Sequence, residues 1–180
     1  KYLNSGPGGV GGIYVNEHHA RNPKVFRLGG WWGNDETTRF KMEKGFIPKK
    51  TAESWQMSNA PVFNMVAHNA SLDIYDKAGM QALREKSIRL TGYMEFLLKQ
   101  ITHLDFQIIT PEEPSRRGCQ LSLLFGDNGR EVFEFLTECG VIADWREPNV
   151  IRIAPVPLYN TFEDCYRFYE LLMATGKNDE

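Results

Sequence analysis

Cysteine is scarce in this chain: Cys119, Cys139 and Cys165 stand alone in 180 residues. They are odd in number, far apart and form no C-x-x-C pair, which argues against a disulfide framework or a zinc site. A reducing, cytoplasmic setting is expected. The four histidines, His18, His19, His68 and His103, show no ligand spacing, so no metal is expected. No apolar run reaches the roughly 18 residues of a membrane span, and the first residues lack the basic-then-apolar order of a signal peptide, so no membrane partner is expected. Charge of one sign is not concentrated either. Lysine and arginine total 21 against 23 acidic residues, a formal charge of -2, and nucleic acid is not expected as a partner. There is no G-K-[ST], which excludes a P-loop. Ser5, Ser58 and Ser122 lack a paired His and Asp signal, so triad chemistry has no support.

Glycine, by contrast, crowds the opening, "KYLNSGPGGVGGIYV". Gly6-Pro7-Gly8-Gly9-Val10-Gly11 satisfies G-x-G-x-x-G literally. The dinucleotide fingerprint must follow a strand and open a helix, however, and here five residues precede it and a β-branched stretch follows. Glycines that let backbone pass close to something bulky explain it better. The start on a lysine, without an initiating methionine, raises the expectation that an N-terminal portion is missing.

Periodicity places the elements. "VGGIYV" at 10–15 reads as a short buried strand, and 17–58 shows little regularity, as expected of a functional segment or one ordered by another chain. From Pro61 the spacing turns helical. Val62, Met65, Val66, Ala70, Ile74 and Tyr75 share one face, and Met80, Leu83, Ile88, Leu90, Met94, Leu97 and Leu98 share another, with Gly79 as the break. "FQIIT", "CQLSLLF", "VIADWRE" and "VIRIAPVPLYN" read as strands. "REVFEFLTECG" is a helix closed by Gly140, and "TFEDCYRFYELLMATG" is a helix capped by Thr161, with Asp164 placed to answer it. Two entry helices followed by β-β-α-β-β-α predict an α/β sandwich, with helices on one face of a mainly antiparallel sheet. The first sixty residues read as the tail of a larger domain.

Four residues could carry chemistry. Lys1, alone, is a solvated charge; before a glycine-rich turn it can also be an amine held beside a planar cofactor. In "GGWWG", Trp31 and Trp32 cannot easily both enter one core, so one either faces a ligand or meets a partner subunit. An indole N–H suits a phosphate oxygen or a carboxylate. Asn59 in "MSNAP" is either a turn former or an amide able to donate and accept. Arg152, between Ile151 and Ile153, needs an anion, because an unpaired buried charge is costly. That anion is either a structural Asp or Glu, or a substrate carboxylate gripped by the guanidinium fork.

In order and spacing, "KYLNSGPGGVGG", "GGWWGNDETTRFKM", "MSNAPVFNMVAHNASLDIYDKAG", "RGCQLSLLF" and "IRIAPVPLYNTFEDCYRFYELL" closely resemble the C-terminal half of the kynureninase family, over essentially the whole chain. The resemblance implies an α/β, aspartate-aminotransferase-like fold (fold type I). Residues 1–60 would end the large PLP-binding domain, 61–100 would be connecting helices, and 101–180 a C-terminal small α/β domain. It implies pyridoxal 5'-phosphate (PLP) as cofactor, with Lys1 as the lysine that holds it covalently and supplies catalysis. Trp31 would reach the cofactor phosphate of the neighbouring subunit, Asn59 would line the same shared pocket and contact the substrate's aryl ketone, and Arg152 would bind the substrate α-carboxylate. It further implies a cytoplasmic homodimer with shared active sites. This enzyme would hydrolyse L-kynurenine, or its 3-hydroxy derivative, to an anthranilate and L-alanine in tryptophan catabolism and NAD biosynthesis. The family's tyrosine before that lysine, its ring-stacking aromatic and the aspartate for the pyridine nitrogen have no counterparts here. The alternatives are another fold type I PLP lyase, or an inactive fragment acting as an interaction domain. A desulfurase needs a reactive cysteine on a mobile loop, whereas Cys119 lies in an apolar strand pattern.

Overall fold

Leu121, Leu123 and Phe125 alternate with Ser122 and Leu124, a pattern that gives a strand one apolar face. In the computed structural model these residues form a central strand of a four-stranded antiparallel sheet. The structure describes residues 9–175 together with Leu3 and Gly6. Its strands are β1 (Phe106–Ile108), β2 (Leu121–Phe125), β3 (Asp144–Arg146) and β4 (Val150–Ile153), in the order β1-β2-β4-β3. The helices are α1 (Glu17–Ala20), α2 (Val62–Ala78), α3 (Met80–Leu98), α4 (Gly129–Glu138) and α5 (Phe162–Ala174). The chain divides into two units, Lys1–Tyr75 and Asp76–Glu180.

The second unit is built on register. Leu121 faces Ile153 and Leu123 faces Ile151 across β2 and β4, which aligns their apolar side chains on one buried face. Leu90, Met94, Leu97 and Leu98 of α3, Val132 and Leu136 of α4, and Cys165, Phe168 and Leu172 of α5 complete that core. Each fully buried leucine contributes about 2 kcal/mol by leaving water. The helices cover one face of an antiparallel sheet, as the sequence predicts. Gly79 (φ 78°) separates α2 from α3, and Gly140 (φ 82°) follows α4, both in backbone that favours glycine. Thr161 caps α5 in a reciprocal capping box. Its side chain accepts from the Asp164 amide, and the Asp164 carboxylate accepts from the Thr161 amide.

Three expectations need correction. Residues 10–15 form no strand: Gly11 and Gly12 remove side chains that would hold one, and no described strand offers hydrogen bonds to the segment, so Ile13 and Tyr14 stand exposed. The expected α2 face is not covered either; Val62, Met65, Val66 and Ile74 are exposed, and Ser71 is the buried residue of that helix. In α3, Met80 and Ile88 lie outside the buried stripe, because Leu83, Leu90, Met94, Leu97 and Leu98 already fill the side turned to the core.

The first unit has little regular structure, and one side chain ties much of it together. The Arg27 guanidinium donates to Ser54 Oγ (2.8 Å) and to the carbonyls of Asn22 (3.1 Å), Val25 (2.9 Å), His19 (3.1 Å) and Ala20 (2.6 Å). It lies 4.2 Å from the centre of the Trp55 ring. The end of α1 and the 3-10 turn Ala52–Trp55 are thereby fastened to one cation.

Candidate functional site

Close backbone contact sets up the first group of candidate residues. A Cβ on Gly30 would lie 2.2 Å from Met57 Cα, and one on Gly33 would lie 2.6 Å from the Ser54 carbonyl oxygen. Only glycine lets these segments lie so close. The Trp31 amide donates to the Met57 carbonyl (3.0 Å), while Asp35 and Lys49 exchange amide bonds with Ile47 and Gly33 on the other side. The "GGWWG" motif is thus a strap held between residues 46–49 and 54–57.

That strap delivers its two tryptophans differently. Trp31 is 45% exposed, with its ring edge-on to Phe40 at 5.3 Å between centroids. Its indole N–H meets no protein acceptor among the described residues. Trp32 is partly buried beneath the Arg39 guanidinium, 4.4 Å from its ring centre. Its indole Nε1 donates to Asn59 Oδ1 at 2.5 Å. The structure therefore brings Asn59 together with Trp32, a residue the sequence reading left undecided. Within the "TRFKM" motif, Phe40 meets the Trp31 ring edge-on and Arg39 covers the Trp32 ring.

Arg152 belongs to the second unit. On β4 it points away from the helices and sits opposite Asp144 of β3 and Ser122 of β2. Its Nη2 donates to the Asp144 carboxylate, which also pairs with Arg146 at 3.1 Å, so one carboxylate answers two guanidinium groups. The structural ion pair weighed for Arg152 is thus present. Its Nε, however, is buried with no hydrogen-bond partner among the described residues, although the side chain as a whole is 30% exposed. A buried N–H left unmade costs about 1–3 kcal/mol, so this edge of the fork calls for a further acceptor. Lys1 lies outside the described residues. A cavity of about 610 Å³ between α5 and the chain after β4 is walled by Met94, Ile153, Pro155, Tyr159 and Phe168, and Arg152 does not line it.

The "RGCQL" motif is explained within the second unit. Arg117 is 6% exposed and pairs with Glu95 of α3, itself 10% exposed and also bound by Lys99 at 2.9 Å. Burial raises the Glu95 pKa, but hydrogen bonds from Lys99 and Arg117 outweigh it and hold the carboxyl below its ordinary range. Burial pushes the Cys119 thiol up, and the Cys165 thiol to about 11, the opposite of what a nucleophilic cysteine requires. Among the described residues no cluster of histidine, cysteine or carboxylates could hold a metal, and no helix is long and apolar enough to cross a membrane.

Residues 83–172 match the model of the kynureninase C-terminal domain. The chain is 51% identical over 174 residues to a kynureninase of Koribacter versatilis, covering 97% of this chain and 41% of that protein. It is 54% identical over 171 residues to a kynureninase of Xanthomonas oryzae pv. oryzae, covering 93% of this chain and 40% of that protein. It thus spans about two fifths of the length of the curated relatives it matches. Among solved structures, the cystine C–S lyase C-DES bound to cysteine persulfide superposes with a TM-score of 0.65 at 13% identity, covering 81% of this chain and 37% of that one. A C-DES mutant with glycine covalently linked to its PLP cofactor gives 0.64 at 14%. These likenesses show the α/β fold of fold type I PLP enzymes. By its C-terminal domain and its identity to these relatives, the chain belongs to the kynureninase family.

Proposed function

We infer that this chain is the C-terminal part of a PLP-dependent enzyme that hydrolyses L-kynurenine, and its 3-hydroxy derivative, to an anthranilate and L-alanine. The reaction belongs to tryptophan catabolism and NAD biosynthesis, in a cytoplasmic homodimer with shared sites. The observation that carries the substrate class is the Arg152 fork: a cation held by Asp144 with a buried, unmatched Nε suits the α-carboxylate of an amino acid.

The donor chemistry also fits the cofactor. Trp31 is an exposed residue whose indole N–H has no acceptor among the described residues, as binding a phosphate oxygen requires. Lys1 is the residue that would hold the group covalently, by its match to the family's lysine. When bound, PLP supplies an electron sink that makes the α-proton of an amino acid acidic. The amine of Lys1 takes that proton and returns it. Arg152 fixes the carboxylate and so orients the bond to be broken, and the Asn59 amide addresses the aryl ketone. In the net reaction, water adds across the bond between Cβ and the ketone carbon. The oxygen leaves on the anthranilate carboxylate, and a proton completes the alanine methyl group.

Exposed apolar side chains in the first unit, among them Phe26, Leu28, Met42, Phe63 and Val66, support a surface covered by further protein in the assembly. The function is tested by supplying L-kynurenine to the PLP-loaded complete polypeptide and measuring anthranilate fluorescence and alanine. Equimolar products are expected, with none from Lys1→Ala. Absence of anthranilate from protein that retains PLP would overturn the assignment.

A further inference from the structure

The Trp32–Asn59 pair determines which side of an amide faces outward. An asparagine amide can offer either its carbonyl oxygen or its NH2 group, and rotation by half a turn exchanges them. Here the exchange is blocked. Trp32 Nε1 donates to Asn59 Oδ1, so a flipped amide would set NH2 against an indole N–H, two donors with no acceptor. Trp32 is in turn covered by the Arg39 guanidinium, 4.4 Å from its ring centre, whose Nε and Nη1 are buried without hydrogen-bond partners among the described residues. The backbone beneath is fixed by the contact of Gly30 with Met57. Asn59 itself is exposed, so its remaining group is available to a ligand.

We propose that Trp32 is a positioning residue that sets ligand specificity, because its indole N–H fixes Asn59 with the amide NH2 outward and makes the site select a hydrogen-bond acceptor. The ligand class is therefore one with an acceptor oxygen at this point, such as an aryl ketone, and a group that can only donate is rejected. The inference rests on the proposed function for the identity of the ligand. The Trp32–Asn59 lock itself is independent of it.

The test uses the PLP-loaded complete polypeptide and three substitutions. Trp32→Phe keeps a ring for Arg39 but removes the N–H; the KM for L-kynurenine should rise about three- to tenfold, with the loss falling on KM more than on kcat. Asn59→Asp still accepts from Trp32 but turns the outward face from donor to acceptor, and KM should rise by about tenfold or more. In the Asn59→Ala background, Trp32→Phe should have little further effect on KM, since the group it orients is gone. A general structural role for Trp32 would instead give additive losses. The indole N–H resonance identified by its disappearance in Trp32→Phe should move in Asn59→Ala, a readout that needs no turnover. Additive effects in the double variant overturn the proposal, and so does an unchanged KM in Asn59→Asp, which can be read even if Trp32→Phe fails to fold. If Asn59→Ala leaves KM unchanged while the indole resonance moves, the lock exists but Asn59 does not meet substrate, and the pocket assignment of the proposed function fails instead.

Discussion

Single side chains settle several questions that composition leaves open. Arg152 is the clearest: β-alternation places it opposite Ile151 and Ile153, but only the cross-strand register reveals Asp144 as its partner. The ion pair and the clamp are compatible, because Asp144 engages Nη2 and leaves Nε unmatched. Arg152→Lys should therefore raise the KM for L-kynurenine by about tenfold, about 1.4 kcal/mol, since a point charge cannot both hold Asp144 and present a fork. An unchanged KM in steady-state assays would leave the ion pair as its whole role. Arg117 presents the opposite case, a buried guanidinium held by Glu95 and the Pro111 carbonyl. Arg117→Ala strands Glu95 at 10% exposure and should cost about 3–5 kcal/mol, read as a fall in the denaturant midpoint. The same pair predicts acid sensitivity. Because the folded pKa of Glu95 is depressed, its contribution is fully present above the ordinary value of 4.5 and is lost as pH falls through the lower folded value. The difference in unfolding free energy between the parent protein and Glu95→Gln should accordingly narrow below that pH, and a constant difference would contradict the assignment.

Elements were legible where periodicity and caps agree. The helices after Pro61, the Gly79 break, the Gly140 terminus and the Thr161 cap all follow from local signals, because helix ends are decided within a few residues of themselves. Strand 10–15 failed for the complementary reason: a strand exists only with a neighbour to pair with, and six β-favouring or glycine residues cannot announce whether one is present. The strap at 29–33 was half legible. Its glycines and tryptophans stand out, yet the contact with residues 54–57 joins segments more than twenty positions apart and leaves no periodic trace. For that reason the partnership of Trp32 with Asn59 emerged only from three-dimensional packing, and that of "TRF" with "WW", though near in sequence, lies in a stretch without periodicity to reveal it. The strap yields a sharp expectation. Gly30→Ala forces a Cβ to within 2.2 Å of the Met57 Cα, a backbone atom that cannot swing aside. Overpacking of this kind costs about 1–3 kcal/mol, and the resulting shift should disturb the Trp32 indole resonance while leaving the second unit's amide exchange unaffected. An undisturbed indole signal would mean that the strap tolerates displacement.

The whole molecule is uneven in the way its apolar surface is used. Asp76–Glu180 buries a continuous core from three helices and two central strands, whereas Lys1–Tyr75 leaves large side chains such as Tyr14, Phe26 and Phe63 in water. The chain spans about two fifths of its relatives' length, and the proposed assembly would cover this exposed apolar surface with further protein. Lys1, the lysine on which the proposed chemistry turns, lies outside the described residues. Its role is tested most directly by borohydride reduction of the PLP-loaded complete polypeptide followed by peptide mass mapping. The proposed chemistry predicts a pyridoxyl adduct on the peptide that contains Lys1; an adduct confined to another lysine, or protein that binds PLP without forming any adduct, would contradict it.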